Sequence, residues 1–258
     1  MTHLIATCFL FFLFTIPTTI SYEFLALSLL WPISTCQPPR ICRDEDDLPQ
    51  SFTIQGLWPS TSRPPWPENC KGGNLKPQMV KSIVPRLEYE WPNLSEGETD
   101  FSLWEREWDR HGKCSLDIFH NQLSYFQTTL RLNSQVDITR ILITQNKIVP
   151  SDTSLYDTKH IVDAITIDFG VPQLECIEES NPPILRAIRL CYGRNLSSID
   201  CPYRRLNINC GGQLKWPSTS SGLNPIDSSS GLNSLALFGN FSLLTCSAGG
   251  FCYYSSPL

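Results

Sequence analysis

Cysteine residues constrain the fold of this 258-residue chain more than any other feature. Of its 11 cysteines, Cys8 lies in an apolar N-terminal segment, so ten remain beyond it. An even number of cysteines in a secreted chain is typical of a disulfide framework. Structural zinc is the alternative, but the chain has no C-x-x-C pair, and we expect no metal. Spacing alone does not fix which cysteines pair. The ten are Cys36, Cys42, Cys70, Cys114, Cys176, Cys191, Cys201, Cys210, Cys246 and Cys252.

The first 21 residues have the composition of a secretory signal peptide. Leu4–Ile16 is an apolar run, and the small residues Thr19 and Ser21 offer a cleavage point before Tyr22. The run is shorter than the roughly 20 residues that a membrane-spanning helix needs, so we expect no membrane partner. The segment therefore predicts a protein that is secreted and extracellular, or vacuolar after a further sorting step.

The rest of the chain divides by composition. Its length fits one domain with a full hydrophobic core, which we assign to residues 22–210. Residues 211–258 are rich in Ser, Gly and Asn and repeat the phrase S-G-L-N, so they predict a poorly ordered C-terminal extension. Sequons at Asn93, Asn195 and Asn240 predict glycosylation, as in many secreted proteins.

The net charge of −5 limits how the chain could bind nucleic acid. A protein that holds RNA by charge alone needs clustered Lys and Arg to neutralise phosphates. Any contact with RNA must therefore be a local site within an acidic surface.

Apolar periodicity predicts the secondary structure. Strands are predicted for three segments: Phe24–Leu30, Phe52–Trp58 and Ile184–Tyr192. Three-four spacing predicts four helices: Lys76–Tyr89, Phe101–His111 with Thr99 or Asp100 as its N-cap, Leu116–Leu130 and Asp157–Asp168.

The segment Trp104–Cys114 carries the clearest chemical signal, and it reads W-E-R-E-W-D-R-H-G-K-C. Helical spacing puts Glu107, Arg110 and His111 on one face. A carboxylate, a guanidinium and an imidazole in one patch suit phosphoryl transfer, because the charges stabilise a crowded phosphorane and the imidazole moves protons. An ordinary solvated helix face is the alternative, but the flanking tryptophans and the H-G-K-C end disfavour it.

A second segment, Phe52–Pro59, reads F-T-I-Q-G-L-W-P. Together the two segments resemble the active-site motifs of the RNase T2 family, the secreted endoribonucleases that include plant S-like and S-RNases. The resemblance implies an α+β fold with a central antiparallel sheet, packed helices and several disulfides. It implies the pairs Cys70–Cys114, Cys176–Cys210 and Cys191–Cys201, with Cys36–Cys42 as a local bridge. Cys246–Cys252 would then pair by elimination.

The resemblance also implies the role of each site residue. His111 would be the general base that takes the proton from the ribose 2′-OH, leaving a 2′,3′-cyclic phosphate. Glu107 and Arg110 would polarise and stabilise the phosphate, although the family usually has Lys at the position of Arg110. Arg106 would touch phosphate, and Trp58 would either stack on a base or belong to the core. The expected partner is single-stranded RNA, the expected protein is a monomer, and no cofactor is expected.

Gln55 is the main departure from the family pattern, because the resemblance implies a general-acid histidine there. A glutamine amide cannot deliver a proton, and general acid catalysis contributes about 10²–10⁴-fold. His120 and His160 are predicted to be surface residues rather than substitutes. The base-binding area also departs from the pattern at Leu30 and Ser60.

Two hypotheses follow from these departures. The first is a T2-type endoribonuclease with reduced activity. The second is a catalytically inactive relative that serves as a storage, defence or RNA-binding glycoprotein. A pollen-recognition S-RNase is disfavoured, because those proteins tend to be basic and this chain is acidic.

Overall fold

The computed structural model describes residues 22–36, 42–43, 48–177, 180–203 and 207–218, together with the backbone of 244–246 and 252–254. The predicted signal peptide and the sequon at Asn240 lie outside these residues. The described strands are β1 (Phe24–Leu30), β2 (Thr53–Ser60), β3 (Tyr156–Asp157), β4 (Gln173–Ile177), β5 (Ile184–Tyr192), β6 (Ser198–Ile199), β7 (Asn207–Ile208), β8 (Gln213–Leu214), β9 (Leu244–Cys246) and β10 (Cys252–Tyr254). The α-helices are α1 (Pro32–Thr35), α2 (Pro77–Val80), α3 (Val84–Glu90), α4 (Asp100–Arg110), α5 (Leu116–Phe119), α6 (Gln122–Ser134), α7 (Ile138–Arg140) and α8 (Thr158–Phe169).

A central sheet organises the domain, with the strand order β2-β1-β5-β4-β7 and β6 paired to β5. All of its pairs are antiparallel except β4 with β7. Strand β1 lies between β2 and β5, so both of its edges are hydrogen-bonded, and its apolar run is buried almost throughout. The predicted strands at Phe24–Leu30 and Ile184–Tyr192 are confirmed with these bounds, and the strand predicted at Phe52–Trp58 is β2. The α+β architecture with an antiparallel sheet is confirmed.

The two faces of the sheet differ in what covers them. One face packs on the helices through the main core, to which β1 contributes Leu25, Leu27 and Leu29. The other face has a small separate cluster of Phe24, Ala26, Cys191 and Cys201. This second face is therefore open enough to present polar side chains from the strands.

A β-bulge interrupts the pairing of β1 with β2. Ser28 pairs with Gly56, but its neighbour Leu29 pairs with Ile54, so Gln55 is the extra residue on β2. A bulge changes where a side chain points, and bulges are common beside active sites. Here the Ser28 hydroxyl donates a 2.7 Å hydrogen bond to Gln55 Oε1, so the bulged side chain lies beside β1.

The helices follow the sequence predictions with two differences. Helix α4 begins at its predicted cap, since Thr99 Oγ1 accepts from the Ser102 N–H, and α8 occupies the predicted Asp157–Asp168 region. The predicted Leu116–Leu130 helix is two helices, because His120 has a φ of +54°, which ends α5. The predicted Lys76–Tyr89 helix consists of α2, a 3₁₀ turn and α3, with proline near the start of each α-helix.

The predicted domain end at residue 210 is too early. Strand β8 pairs with β3, and Trp216 is fully buried, packing edge-to-face on Trp31 with ring centroids 5.1 Å apart. The chain therefore belongs to the core as far as Ser218. Sequence composition missed this because one aromatic residue, rather than a periodic pattern, anchors the segment. Separately, β9 and β10 form a two-stranded antiparallel sheet in which Cys246 and Cys252 are paired residues.

Four disulfides staple the described domain, and they join the pairs that the family resemblance implied: Cys36–Cys42, Cys70–Cys114, Cys176–Cys210 and Cys191–Cys201. The side chains needed to assess Cys246–Cys252 lie outside the described residues. Within the described ranges, none of the helices has the length and apolar character needed to cross a lipid bilayer.

Candidate active site

Helix α4 positions two candidate catalytic side chains through its buried face. Trp104 and Trp108 are almost fully buried, and their indole N–H groups donate to Trp91 O and Gly73 O. The helix ends at Arg110, and His111 follows as its C-cap, with its N–H donating to Glu107 O. The aromatic anchors therefore fix the rotation of α4 and, with it, the direction in which Glu107 and His111 point.

Trp58 of β2 joins these two side chains. Its indole N–H donates a 2.9 Å hydrogen bond to Glu107 Oε2, and its ring lies against the His111 ring with centroids 5.3 Å apart. Gly56 makes this arrangement possible, because a Cβ there would lie 2.2 Å from Glu107 Oε2 and 2.3 Å from Trp58 Nε1. Trp58 is half-buried and lies outside the main hydrophobic core, and its stacking on a base stays a prediction.

Burial shifts the two titratable groups in opposite directions. Loss of solvation raises the pKa of Glu107 to about 7, although the Trp58 hydrogen bond and the charge of Arg110 oppose this rise. Burial, followed by the charge of Arg110, lowers the pKa of His111 to about 3. At neutral pH the imidazole is therefore uncharged, while a fraction of Glu107 is protonated.

His111 lines a cavity of about 250 Å³ on the open face of the sheet. Within the described part of the chain, His111 Nδ1 is buried without a hydrogen-bond partner. The walls are mostly apolar, with several aromatic rings and a few polar groups, and they come from β2, β4, β5, β7 and two loops. Residues lining the cavity beside His111 include Trp58, Ser60, Trp66, Gln173, Arg189 and Tyr203.

Sequence reasoning missed the part of this cavity that comes from β4 and β5. The Arg189 guanidinium lies over the Trp58 ring, 5.2 Å from its centroid, and donates to Gln173 Oε1 and to Glu175. Arg189 thereby supports Trp58 from the side of the neighbouring strands. The available signal was the pair of arginines, Arg186 and Arg189, inside the otherwise apolar strand Ile184–Tyr192, because charges are unusual in a buried strand unless they have partners.

The two arginines predicted to contact phosphate have different positions. Arg110 binds Glu68 through one nitrogen that is 3.0 Å from both carboxylate oxygens, and Glu68 lies at the cavity. Arg106 instead forms an ion pair with Glu98 at 2.7 Å, and both side chains are about half exposed. The structure thus brings Glu107, His111 and Trp58 together, keeps Arg110 at the rim, and directs Arg106 toward Glu98.

The structure also shows how exposed the predicted surface histidines and two of the predicted glycosylation sites are. His120 and His160 are exposed, on the turn after α5 and on α8, so neither supplies the missing imidazole. The glycosylation of Asn93 stays a prediction; the residue is 3 % exposed, and its amide nitrogen donates to Glu98 and to Thr99 O. Asn195, in contrast, lies exposed in a turn.

The fold and the site together define the family. The model of the Ribonuclease T2 family matches residues 22–201, and the chain belongs to that family. It is 32% identical over 206 residues to Ribonuclease DdI of Dictyostelium discoideum, covering 77% of this chain and 86% of that protein. It is 33% identical over 188 residues to Ribonuclease Oy of Magallana gigas, covering 70% and 87%. Its fold matches a crystal structure of RNase NT in complex with 5′-AMP, with a TM-score of 0.69 and 26% identity over 77% of this chain and 99% of that one.

Proposed function

We propose that this protein is an endoribonuclease of the T2 type that cleaves single-stranded RNA and leaves a 2′,3′-cyclic phosphate. The observation that carries the proposal is the arrangement of Glu107 and His111 around Trp58, beside a cavity with aromatic walls. Ribonucleases DdI and Oy, and the nucleotide bound to RNase NT, support RNA as the substrate class.

The chemistry follows from the environments of the two groups. An uncharged His111 takes the proton from the ribose 2′-OH, and the 2′-oxygen attacks the adjacent phosphorus. Because the nucleophile is a 2′-OH, the reaction requires RNA rather than DNA. Arg110 at the rim supplies positive charge toward the phosphate, and the exposed ring of Trp66 offers a face on which an unstacked base can lie.

The activity is proposed to be weaker than that of the same site with a histidine at position 55. Gln55 Oε1 is occupied by the Ser28 hydroxyl, and the amide has no proton to give to a leaving oxygen. Losing a general acid lowers a rate by about 10²–10⁴-fold unless another group takes over.

Cleavage of a defined oligonucleotide tests the proposal. The purified protein is incubated with a single-stranded RNA and, as a matched control, with the same sequence carrying one 2′-deoxyribose at the cleaved position. We expect mass spectrometry to find a 2′,3′-cyclic phosphate and a free 5′-OH end from the RNA alone. Cleavage of the deoxy-substituted strand at the same position would exclude this reaction.

A second candidate function is favoured by Gln55 itself: an inactive relative that binds RNA or serves in storage or defence. A binding protein needs the cavity and its stacking rings but no proton donor. Tight binding of the RNA without any cleavage, at every pH between 4 and 9, would select this candidate over the first.

The protein is further proposed to act outside the cytosol as a monomer. The four disulfides and the exposed sequon at Asn195 support an oxidising, secretory route. Expression of the full chain in a eukaryotic host is expected to release a monomeric protein that begins at Tyr22 and loses mass when glycosidase removes a glycan from Asn195. An intracellular product that begins at Met1 would contradict this route.

A further inference from the structure

The proposed reaction needs a proton for the departing 5′-oxygen, and several described groups near the cavity cannot supply it. Arginine side chains stay charged at all relevant pH values. Both oxygens of Glu68 accept from Arg110, and Glu175 is paired with Arg186 and Arg189, so each of these carboxyl groups is already engaged in an ion pair.

Glu107 lies beside the position that lacks a donor. Its Oε2 occupies the space of the absent side chain of Gly56, the residue directly after Gln55. Because Oε2 accepts from the Trp58 indole, Oε1 is the oxygen that can carry a proton. The carboxyl group and the His111 imidazole are both held by Trp58, one at the edge of the indole and one at its face.

From this arrangement we infer that Glu107 is the proton donor of the reaction and acts on the leaving 5′-oxygen in place of a histidine at position 55. This inference rests on the proposed ribonuclease function and assigns Glu107 a task beyond stabilising the phosphate.

The step balances as a transesterification. His111 removes the 2′-OH proton, the O2′–P bond forms, the P–O5′ bond breaks, and the proton on Glu107 Oε1 passes to O5′. The products are a 2′,3′-cyclic phosphate and a 5′-OH strand, with Glu107 left as carboxylate and His111 as imidazolium. Exchange of one proton with water at each group restores the starting state.

The electrostatic surroundings of Glu107 fit a donor near neutral pH. Burial raises its pKa to about 7, whereas the pKa of His111 falls to about 3, so near neutral pH Glu107 is partly protonated while His111 is uncharged. The hydroxyl of Tyr125 on α6, whose own pKa is raised by burial, donates to Leu57 O rather than to the carboxyl group. The charged groups that act on the carboxyl group are Arg106, Arg110 and Glu68.

A double-mutant cycle between Glu107 and Gln55 tests the inference. We expect Glu107→Gln to lower kcat by about 10²-fold or more in the parent, the size of a lost general acid. In the Gln55→His background the same change is expected to cost much less, because an imidazole then supplies the proton. Glu105→Gln, two residues away on the same helix, is the matched control and is expected to leave the rate unchanged.

Two further readouts separate proton donation from a structural role. A uridine 3′-phosphate ester of 4-nitrophenol has a leaving group that needs no proton, so Glu107→Gln is expected to cleave it almost as fast as the parent does. The kcat/KM profile of the parent on RNA is expected to fall as pH rises through about 7, and this alkaline limb should vanish in Glu107→Gln.

The outcomes distinguish this inference from the proposed function. An equal fold-loss for Glu107→Gln in both backgrounds, or on both substrates, would overturn the role as donor while the ribonuclease remains. An inert parent with an active Gln55→His variant would do the same. If neither protein cleaves RNA, the proposed function itself fails, and the inference fails with it.

Discussion

The end of α4 and the bulge of β2 form two halves of one site, and they differ in whether their candidate catalytic side chains can gain or lose a proton. The α4 half carries Glu107, whose pKa is raised to about 7, and His111, whose pKa is lowered to about 3. The β2 half supplies Trp58, the open space at Gly56, and a bulge that presents Gln55, whose amide does not titrate. The bulge in β2 therefore forms even though the side chain at position 55 does not titrate.

Removing His111 should have the largest effect on this comparison. His111→Ala is expected to lower kcat on single-stranded RNA by about 10²–10⁴-fold, because the α4 half then loses its base. His160→Ala, on the exposed face of α8, is the matched control and should cleave like the parent. A His111→Ala variant with the parent's rate would show that the base lies elsewhere.

Filling the space at Gly56 should disrupt the contact between the halves. Gly56→Ala places a methyl group where the Trp58 indole meets Glu107 Oε2, so one of them has to move. We expect the free energy of unfolding to fall by about 1–3 kcal/mol, as in other overpacked sites, and cleavage to fall with it. Gly73→Ala is the control, since its Cβ would meet nothing within 4 Å. Equal stabilities in urea titrations of the two variants would contradict the close packing at Gly56.

The pH dependence of stability should separate the two titratable groups. Glu107 binds its proton more tightly when folded, with a pKa of about 7 against 4.5, so its contribution is complete below pH 4.5 and is lost as pH rises to about 7. His111 binds its proton less tightly when folded, with a pKa of about 3 against 6.5, so its contribution is complete above pH 6.5 and is lost as pH falls toward 3.

The difference in unfolding free energy between the parent and Glu107→Gln should therefore decrease as pH rises from 4.5 to 7. The corresponding difference for His111→Ala should increase as pH rises from 3 to 6.5. Chemical denaturation at a series of pH values measures both. A flat difference for either variant would mean that the group has its ordinary pKa in the folded state.

Arg106 should have the smallest effect, although its sequence position predicts a contact with phosphate. Its side chain is 53% exposed and pairs with Glu98, and exposed ion pairs contribute about 0–1 kcal/mol. Arg106→Ala is expected to lower the free energy of unfolding by less than about 1 kcal/mol and to cleave RNA at close to the parent's rate. Arg110→Ala, at the rim, should cleave RNA more slowly. A loss for Arg106→Ala as large as that for Arg110→Ala would place Arg106 in the phosphate site.

The sequence predicts local elements well because their signals are local. The apolar run of β1, the cap of α4 and the motif around His111 each span no more than about a dozen residues. The break at His120 was missed because apolar spacing continues across it, and only the positive φ ends the helix. Trp216 and Arg189 were missed for a different reason: their partners, Trp31 and Trp58, are distant in sequence, so tertiary packing alone defines their roles.

The residues of the candidate site could be named from the sequence, whereas their arrangement could not. Glu107 and His111 follow from the motif, whereas the hydrogen bond from Trp58 to Glu107 joins residues 49 positions apart in sequence and depends on tertiary packing. Arg106 and Arg110 look alike in the sequence, and only their acidic partners, Glu98 and Glu68, separate them in space.

The most direct test of the account is the initial rate of single-stranded RNA cleavage by the parent and by Gln55→His, with both proteins shown to unfold at the same denaturant concentration. The account predicts measurable cleavage by the parent and a faster rate for the variant, because the β2 bulge would then present an imidazole to a site whose base is already in place. A variant that is no faster than the parent would contradict it, since the amide at position 55 would then not limit the rate of cleavage.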